Sequence, residues 1–494
     1  MISFFAPLSG CASTSSLTSS GTSSLPIVSS NGTTSTVSES KPDNVDSQGV
    51  AYYRTTDDTY VVGQGTDLLP NIVIPASYND HPVTGILPYG FKGSAIAAIT
   101  LPDTLKTIEN EAFSSCDFLA SIVIPDNVTS IGAAVLSNCK SLSSVTLNSV
   151  RVEARAFMNC TNLASVTLGN NVTSISVAAF KGCSALASIV VPNSVGIIGD
   201  SAFMGCSNLS SITLGGGIKS IWDNAFNGCS SLKSIAIPSG VDSIGNYAFR
   251  NCTSLDSVIV NGGAIGSYAF RDCAKLVSVS LGEGVTSIGK NAFDACSALK
   301  SITISNTVTS IGEYAFGWCS SLESIVVPES VKTIGTYAFK DCSSLSSATI
   351  NGGAIGFYAF IGCTNLATLV FGDKVTFIDK YAFQNCTALS SVTVNGGRIG
   401  LYAFAGCTNV VSLTLGEEVT SIDGWAFLGA SIESVKIPAS VTSIGEGVFR
   451  NCSLLSSITY TGTLEEWENV AKGSLWSDGI PATVVRCSDG DANL

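Results

Sequence analysis

A cysteine returns every 23 residues along most of this 494-residue chain, with an occasional step of 21. This period constrains the fold strongly, because so short a unit cannot bury its own apolar side chains and has to stack on its neighbours. Cys452 continues the series after Ala430 takes the place of one member. The other members are Cys116, Cys139, Cys160, Cys183, Cys206, Cys229, Cys252, Cys273, Cys296, Cys319, Cys342, Cys363, Cys386 and Cys407.

One copy of the unit runs from residue 230 to residue 252 and reads SSLKSIAIPSGVDSIGNYAFRNC. The alternation of apolar and polar residues over Leu232–Ile237 predicts a short strand that ends at Pro238. Gly245 suits a tight bend or a positive φ. An apolar residue at every third position from Ala248 to Leu255 predicts a short helical or 3₁₀ turn.

A column of phenylalanines, with one leucine, counts 17 units of 21–23 residues. A period in this range, with leucine and isoleucine at fixed positions, is typical of leucine-rich repeats. We therefore predict a β-rich leucine-rich repeat solenoid with a parallel strand ladder. The column consists of Phe91, Phe113, Leu136, Phe157, Phe180, Phe203, Phe226, Phe249, Phe270, Phe293, Phe316, Phe339, Phe360, Phe383, Phe404, Phe427 and Phe449.

Three units have a connection that is shorter by two residues, at 261–266, 351–356 and 395–400. Side chains alternate between the two faces of a strand with a period of two. Removing two residues therefore keeps the core residues facing inward, whereas removing one would turn them outward.

The flanks differ in composition from the repeats and divide the chain into further segments. Residues 1–11 resemble part of a signal segment, and residues 12–48 are rich in Ser and Thr, which predicts a disordered tether. Residues 49–90 are interpreted as an N-terminal cap, 91–458 as the solenoid, and 459–494 as a C-terminal cap and tail.

The tetrapeptide Leu8-Ser9-Gly10-Cys11 has the form of a bacterial lipobox. The apolar residues before it make about half a leader and include no Lys or Arg, so we expect the true start to lie upstream. Lipidation of Cys11 would anchor the chain, since a multiply acylated cysteine holds a membrane stably. The alternative is a chance match in a Ser-rich segment.

Charge and histidine content exclude several functional classes. The net charge of −13 argues against nucleic-acid binding, which requires a basic surface. His81 is the only histidine and is interpreted as a solvated turn residue, which argues against histidine-dependent catalysis and His-rich metal sites. No apolar run reaches about 18 residues, so no membrane span is expected. We predict no catalytic residues, no cofactor and no metal.

The cysteine column has two interpretations, a redox or metal array and simple packing. Equivalent residues of stacked strands lie about 4.8 Å apart, whereas a disulfide prefers Cβ atoms about 3.5–4.5 Å apart. Free cysteine behaves as a small buried hydrophobe. We therefore predict reduced, buried thiols.

A polar column is expected to face outward on the main strand. It can support stacking through hydroxyl hydrogen bonds, bind a protein or glycan, or order water. The serines are Ser121, Ser144, Ser165, Ser188, Ser211, Ser234, Ser257, Ser278, Ser301, Ser324 and Ser347, beside Thr146, Thr167, Thr213, Thr303, Thr349, Thr393 and Thr414.

An aromatic column precedes the Ala-Phe pair in the C-terminal half, although other copies carry Glu111, Ala134, Ser201, Asn224 or Asn291 there. We expect it to lie at an edge and to be partly exposed. Its rings either pack on one another or form a platform for sugar rings or an apolar partner surface. The candidate ligand-binding residues are Tyr247, Tyr268, Tyr314, Tyr337, Tyr358, Tyr381, Tyr402 and Trp425.

The string SIGxxAFxxCxxLxSIxIPxxV, seen at 243–260 and 310–331, resembles the BspA-like leucine-rich repeat family. The entry segment at 74–84 and the closing TGTLEEWENV, with Trp476 and Cys487, extend the resemblance to about residues 50–487. Members of that family are mostly bacterial or protozoan surface proteins implicated in adhesion to host proteins, matrix or other cells. The resemblance carries no catalytic residues.

These observations together favour a non-enzymatic recognition or adhesion protein at the cell surface or outer envelope, with secretion as the alternative location. The expected partner is a protein or glycan of a host, a matrix or a neighbouring cell, bound by a monomer that contacts the membrane only through its lipid anchor. The competing hypothesis is a structural envelope or spacer protein without a specific ligand.

Overall fold

The computed structural model describes residues 26–28, 34–37, 41–148 and 151–494. The chain forms a parallel β-solenoid of about 18 turns, so the predicted solenoid of leucine-rich repeats is confirmed. Each turn contributes a main strand, a connection, a second and shorter strand, and a series of tight turns that leads to the next main strand.

The main strands lie side by side in register, so that Ser234 is paired with Ser257 and Ser257 with Ser278. They are Asn71–Val73, Ala98–Thr100, Ser121–Val123, Ser144–Leu147, Ser165–Leu168, Ser188–Val190, Ser211–Thr213, Ser234–Ile237, Ser257–Gly262, Ser278–Gly284, Ser301–Thr303, Ser324–Val327, Ser347–Ile355, Thr368–Ile378, Ser391–Ile399, Ser412–Ile422, Ser434–Ile437, Ser457–Tyr460 and Val484–Arg486.

The second strands form a parallel row of their own, except where the main strand is long enough to include them, as in Ser347–Ile355 and Thr368–Ile378. They are His81–Ile86, Thr107–Ile108, Ser130–Ile131, Arg151–Val152, Ser174–Ile175, Ile197–Ile198, Ser220–Ile221, Ser243–Ile244, Ala264–Ile265, Ser310–Ile311, Thr333–Ile334, Ser443–Ile444 and Ala471–Lys472.

The core runs the length of the solenoid and is built from the apolar columns of the repeat. Along Ser234–Ile237 the residues alternate between exposed and buried, as a period of two requires. From Phe157 to Phe449 the phenylalanine rings are buried and stack in one column with centroids 4.7–5.9 Å apart. Because each ring contacts the next turn, burial couples neighbouring repeats.

Successive tight turns occupy the segment for which a short helical or 3₁₀ turn was predicted, and their hydrogen bonds join residues three apart, as in a 3₁₀ turn, without forming a regular helix. In one copy the Cys229 N–H donates to the Phe226 carbonyl at 3.1 Å, and the Leu232 N–H donates to Cys229. Asn224 and Gly228 have positive φ, and left-handed residues interrupt a right-handed helix. Among the described residues, the only helix is Leu464–Asn469.

The glycine column does not have the positive φ that was one of its two expected roles. A Cβ on Gly245 would lie 2.4 Å from the Trp222 carbonyl carbon, and one on Gly312 would lie 2.5 Å from Gly289. Glycine is therefore required here because the backbones of adjacent turns approach closely.

The N-terminal end is covered by a mostly antiparallel sheet of Asn44–Val45, Val50–Arg54 and Tyr60–Gln64, which joins the second-strand row at His81–Ile86. The disordered tether was predicted for residues 12–48. The strand Asn44–Val45 lies inside this range and belongs to the sheet, so the prediction is wrong for these residues. Further strands are Ser77–Tyr78 and the antiparallel pair Pro26–Val28 and Thr34–Thr36.

At the C-terminal end the hydrogen-bond register continues for one turn beyond the last phenylalanine, since the Phe449 N–H donates to the Trp476 carbonyl at 2.9 Å. The helix Leu464–Asn469 is inserted in this turn, and Thr463 and Glu466 form its capping box. The strand Asp491–Asn493 then pairs antiparallel with Val484–Arg486.

Candidate functional site

The outward side of the main strands, which we call the strand face, carries the predicted serine and threonine columns. All their members are exposed except Ser257, Ser347 and Thr349, which are half-buried. Valine replaces threonine in several turns, and the side chains of Val123 and Val190 are 76% and 65% exposed. The face is therefore an array of hydroxyl and branched aliphatic groups.

The hydroxyls of the strand face make no hydrogen bond to another protein group within the part of the chain that the structure describes. Hydroxyls just outside the strands link the turns instead. Ser210 donates to the Ala187 carbonyl at 3.2 Å, and Ser346 donates to the Glu323 carbonyl at 3.1 Å. The stacking role that the sequence offered for the strand-face hydroxyls is thus performed by a neighbouring column.

The aromatic column forms a stack along the solenoid. Six rings from Tyr314 to Trp425 lie with centroids 4.7–5.1 Å apart and within 19° of parallel. Tyr247 and Tyr268 form a separate pair at 4.8 Å. The rings are half-buried, as an edge position predicts. Each inner ring presents an edge to solvent because its two faces contact its neighbours, which favours packing over a platform for sugar rings.

The aromatic column is interrupted between the Tyr247–Tyr268 pair and the stack that begins at Tyr314, and polar side chains occupy this position. Asn291 is buried there, and its amide donates to the Asp294 carboxylate at 2.9 Å. The Arg271 side chain lies 3.1 Å from the same carboxylate. Burial raises the pKa of Asp294 above its ordinary value.

The backbone at the aromatic column is left-handed, with φ between 52° and 61° in fifteen successive copies from Glu111 to Trp425. A bulky residue costs about 1–2 kcal/mol in this conformation, whereas Asn is tolerated. The backbone alone therefore does not account for tyrosine here. Burial and the neighbouring phenols Tyr381 and Tyr337 raise the pKa of Tyr358.

The cysteine column is buried and unpaired from Cys116 to Cys452, as predicted. Each thiol donates to a carbonyl of the preceding turn, at sulfur–oxygen distances of 3.0–3.5 Å, as Cys296 does to Phe270. Burial raises the pKa of the Cys206 thiol to about 12. A thiol that stays protonated is a poor nucleophile and metal ligand.

Two other predicted features lie apart from these columns. His81 is close to Asp58, with 3.2 Å between Nδ1 and the carboxylate, at the N-terminal sheet. Cys11 and its lipobox lie outside the described residues, as do most residues of the proposed tether. In the described part of the chain, no three His, Cys, Asp or Glu side chains form a group that could hold a metal ion.

The repeat pattern matches the family described as "BspA type Leucine rich repeat region (6 copies)" at residues 84–196, 150–264, 263–390 and 388–471. These segments cover well over half of the chain. The chain belongs to the BspA-type leucine-rich repeat family. Repeat proteins of this type are typically non-enzymatic and typically mediate protein binding. No protein of curated function matches the chain.

Several solved structures are similar to this BspA-type chain. A leucine-rich repeat protein from Bacteroides ovatus ATCC 8483 is 28% identical, with a TM-score of 0.54, over 71% of this chain and 94% of the other. A leucine rich cell surface protein from Faecalibacterium prausnitzii A2-165 is 23% identical, with a TM-score of 0.37, over 87% and 97%. The pneumococcal vaccine antigen PcpA is 17% identical, with a TM-score of 0.34, over 90% and 99%.

A membrane-spanning helix requires both length and apolar character. Across the residues that the structure describes, no helix combines the length and apolar character that a membrane crossing needs.

Proposed function

We propose that this chain is a non-enzymatic recognition or adhesion protein of the cell surface, and that the strand face is its binding surface. One observation carries the proposal. The strand-face hydroxyls are free of partners in the described chain, while aliphatic side chains such as Val123 stand exposed among them. Free hydroxyls and exposed aliphatic groups offer hydrogen bonds and apolar area to a protein or glycan of a host, a matrix or a neighbouring cell.

The proposed location rests on the lipobox. Acylation of Cys11 would place the solenoid outside the membrane on the Ser/Thr-rich segment that precedes the sheet strand Asn44–Val45. We expect mass spectrometry of the native protein to find Cys11 as a diacylated first residue. An unmodified residue upstream of Cys11 would contradict the anchor and leave secretion.

The competing function is a spacer of the envelope that binds no specific ligand. A spacer requires only a rigid stack of repeats, and it does not require apolar side chains on an outward face. The exposed side chains of Val190, Ile259 and Val326 on that face favour the binding function, because they offer apolar area to a partner and a spacer does not need them.

The experiment compares two double variants of the full chain for binding to partners captured from matrix and cell-surface extracts. Val123→Glu with Val190→Glu places two charges on the strand face, and we expect at least a tenfold loss of affinity because carboxylates resist desolvation in an interface. Phe118→Glu with Leu454→Glu is the control, since these exposed residues lie outside the strands.

Both variants should keep the thermal stability of the parent chain, because exposed substitutions change it by about 0.5 kcal/mol or less. Equal affinity of the strand-face variant and the control would reject the strand face as the binding surface. Failure to capture any partner would favour the spacer.

A further inference from the structure

We propose that a groove at the middle of the strand face binds a neutral oligosaccharide. The proposal rests on the recognition function above and names the class of ligand. The groove has a volume of about 680 Å³. This volume lies within the range of ligand pockets, about 300–1000 Å³.

The groove is built where the strand ladder is interrupted. One sheet of main strands ends at Ser301–Thr303, and the next begins at Ser324–Val327, with no strand pairing between them in the described chain. Its walls come from four successive turns and include Asn306, Asn351 and Asp373. At about 4.8 Å per turn, the groove runs roughly 14 Å along the solenoid, which suits an extended ligand.

The shortened connection at 351–356 contributes Asn351 to the lining of the groove. Its neighbours at 328–331 and 372–375 are longer and stand on either side of it. The backbones of adjacent turns approach closely here, because a Cβ on Gly372 would lie 2.8 Å from the Asn351 Cα.

Four polar side chains of the groove make no hydrogen bond or ion pair within the described part of the protein. They are Asn306, Glu329, Asn351 and Lys374. A second hollow of about 440 Å³ shares Asn306, Glu329 and Lys374 with the groove and adds Lys332. Two amides, a carboxylate and an ammonium group therefore line one groove without a protein partner in the described chain.

This lining matches the chemistry of sugars better than that of other ligands. Sugar hydroxyls both donate and accept, as the amides of Asn306 and Asn351 and the hydroxyls of Ser301 and Thr303 do. The two carboxylates of Glu329 and Asp373 outnumber the one ammonium group of Lys374 in this lining, which disfavours a phosphate.

The test begins with the full chain on an array of neutral host-mucin, plant and microbial oligosaccharides. The affinity of the strongest array oligosaccharide is then measured by calorimetry. Asn351→Ala with Glu329→Gln should weaken it at least about tenfold, because the first change removes the amide hydrogen bonds and the second replaces a charged acceptor by a weaker neutral one.

The matched control is Asn261→Ala with Glu417→Gln, which changes the equivalent positions of other turns outside the groove. Its affinity should stay within about twofold of the parent. Absence of any bound oligosaccharide, equal affinities of the two variants, or capture of a protein through the groove without any sugar would each overturn the proposal.

The two proposals fail in different ways. One outcome is that the Val123→Glu and Val190→Glu changes abolish binding of a protein partner while the chain binds no oligosaccharide. That outcome would overturn only the proposal for the groove. The opposite outcome is that Asn351→Ala with Glu329→Gln abolishes oligosaccharide binding, while the Val123→Glu and Val190→Glu changes leave binding of the protein partner unchanged. That outcome would overturn only the proposal that the wider strand face is the binding surface.

Discussion

Phe316→Ala is expected to destabilise the solenoid by about 3–5 kcal/mol, because truncating a buried phenylalanine removes its transfer energy and leaves a cavity. The Phe316 ring is fully buried and stacks on Phe293 at 5.5 Å and on Phe339 at 5.1 Å. The cavity therefore weakens two interfaces between turns, and stacked repeats depend on such interfaces. Urea denaturation followed by circular dichroism measures the loss.

Phe118→Ala is the control for this prediction. Phe118 is 64% exposed, so its truncation should change the free energy of unfolding by about 0.5 kcal/mol or less. A loss below about 1 kcal/mol for Phe316→Ala would contradict the continuous core, since it would mean that the turns repack around the missing ring.

Replacing Tyr337, Tyr358 and Tyr381 together by Asn is expected to lower the melting temperature strongly. The change removes four ring contacts within the stack, from the Tyr314–Tyr337 pair to the Tyr381–Tyr402 pair, and three contacts with Phe357. At about 0.5–1.5 kcal/mol for each pair, the four stacked pairs alone account for a loss of roughly 2–6 kcal/mol. Asn tolerates the left-handed backbone conformation better than Tyr does, so the reduced backbone strain offsets a part of this loss of stability.

Replacing the same three tyrosines by Phe separates the ring from the hydroxyl. Stability should stay close to that of the parent, because these hydroxyls have no hydrogen-bond partner in the described chain. Ligand binding should survive in both variants if the column serves packing. A stable Asn variant that has lost its ligand would contradict the packing role and make the column a binding surface.

The repeat columns were predictable because their physical cause is local and periodic. The outward position of Ser234, the burial of Phe249 and the burial of Cys252 follow from a period of two in the strand and from the need to stack. The stacked rings and the thiol donors were harder to predict. The Cys296 thiol meets the Phe270 carbonyl, which is 26 residues away, only once the turns are in register.

The candidate site was predictable only in part. The sequence identified the strand-face hydroxyls and the aromatic column, yet it left open which hydroxyls link the turns and whether the ring faces are free. Both answers depend on distances between turns, such as the 4.8 Å between Tyr247 and Tyr268. The one sequence signal of the groove was the two-residue deletion at 351–356, which by itself indicated only a tolerated shortening.

The sequence by itself determined what every turn shares, namely the solenoid, its register and its buried columns, because identical units that cannot bury their own core have one way to stack. The tertiary structure alone decided what depends on the contact between turns. The close approach at Gly312 and the groove beside Asn351 arise where one turn meets the next. Such contacts are set by the backbone separation of adjacent turns, which no single repeat encodes.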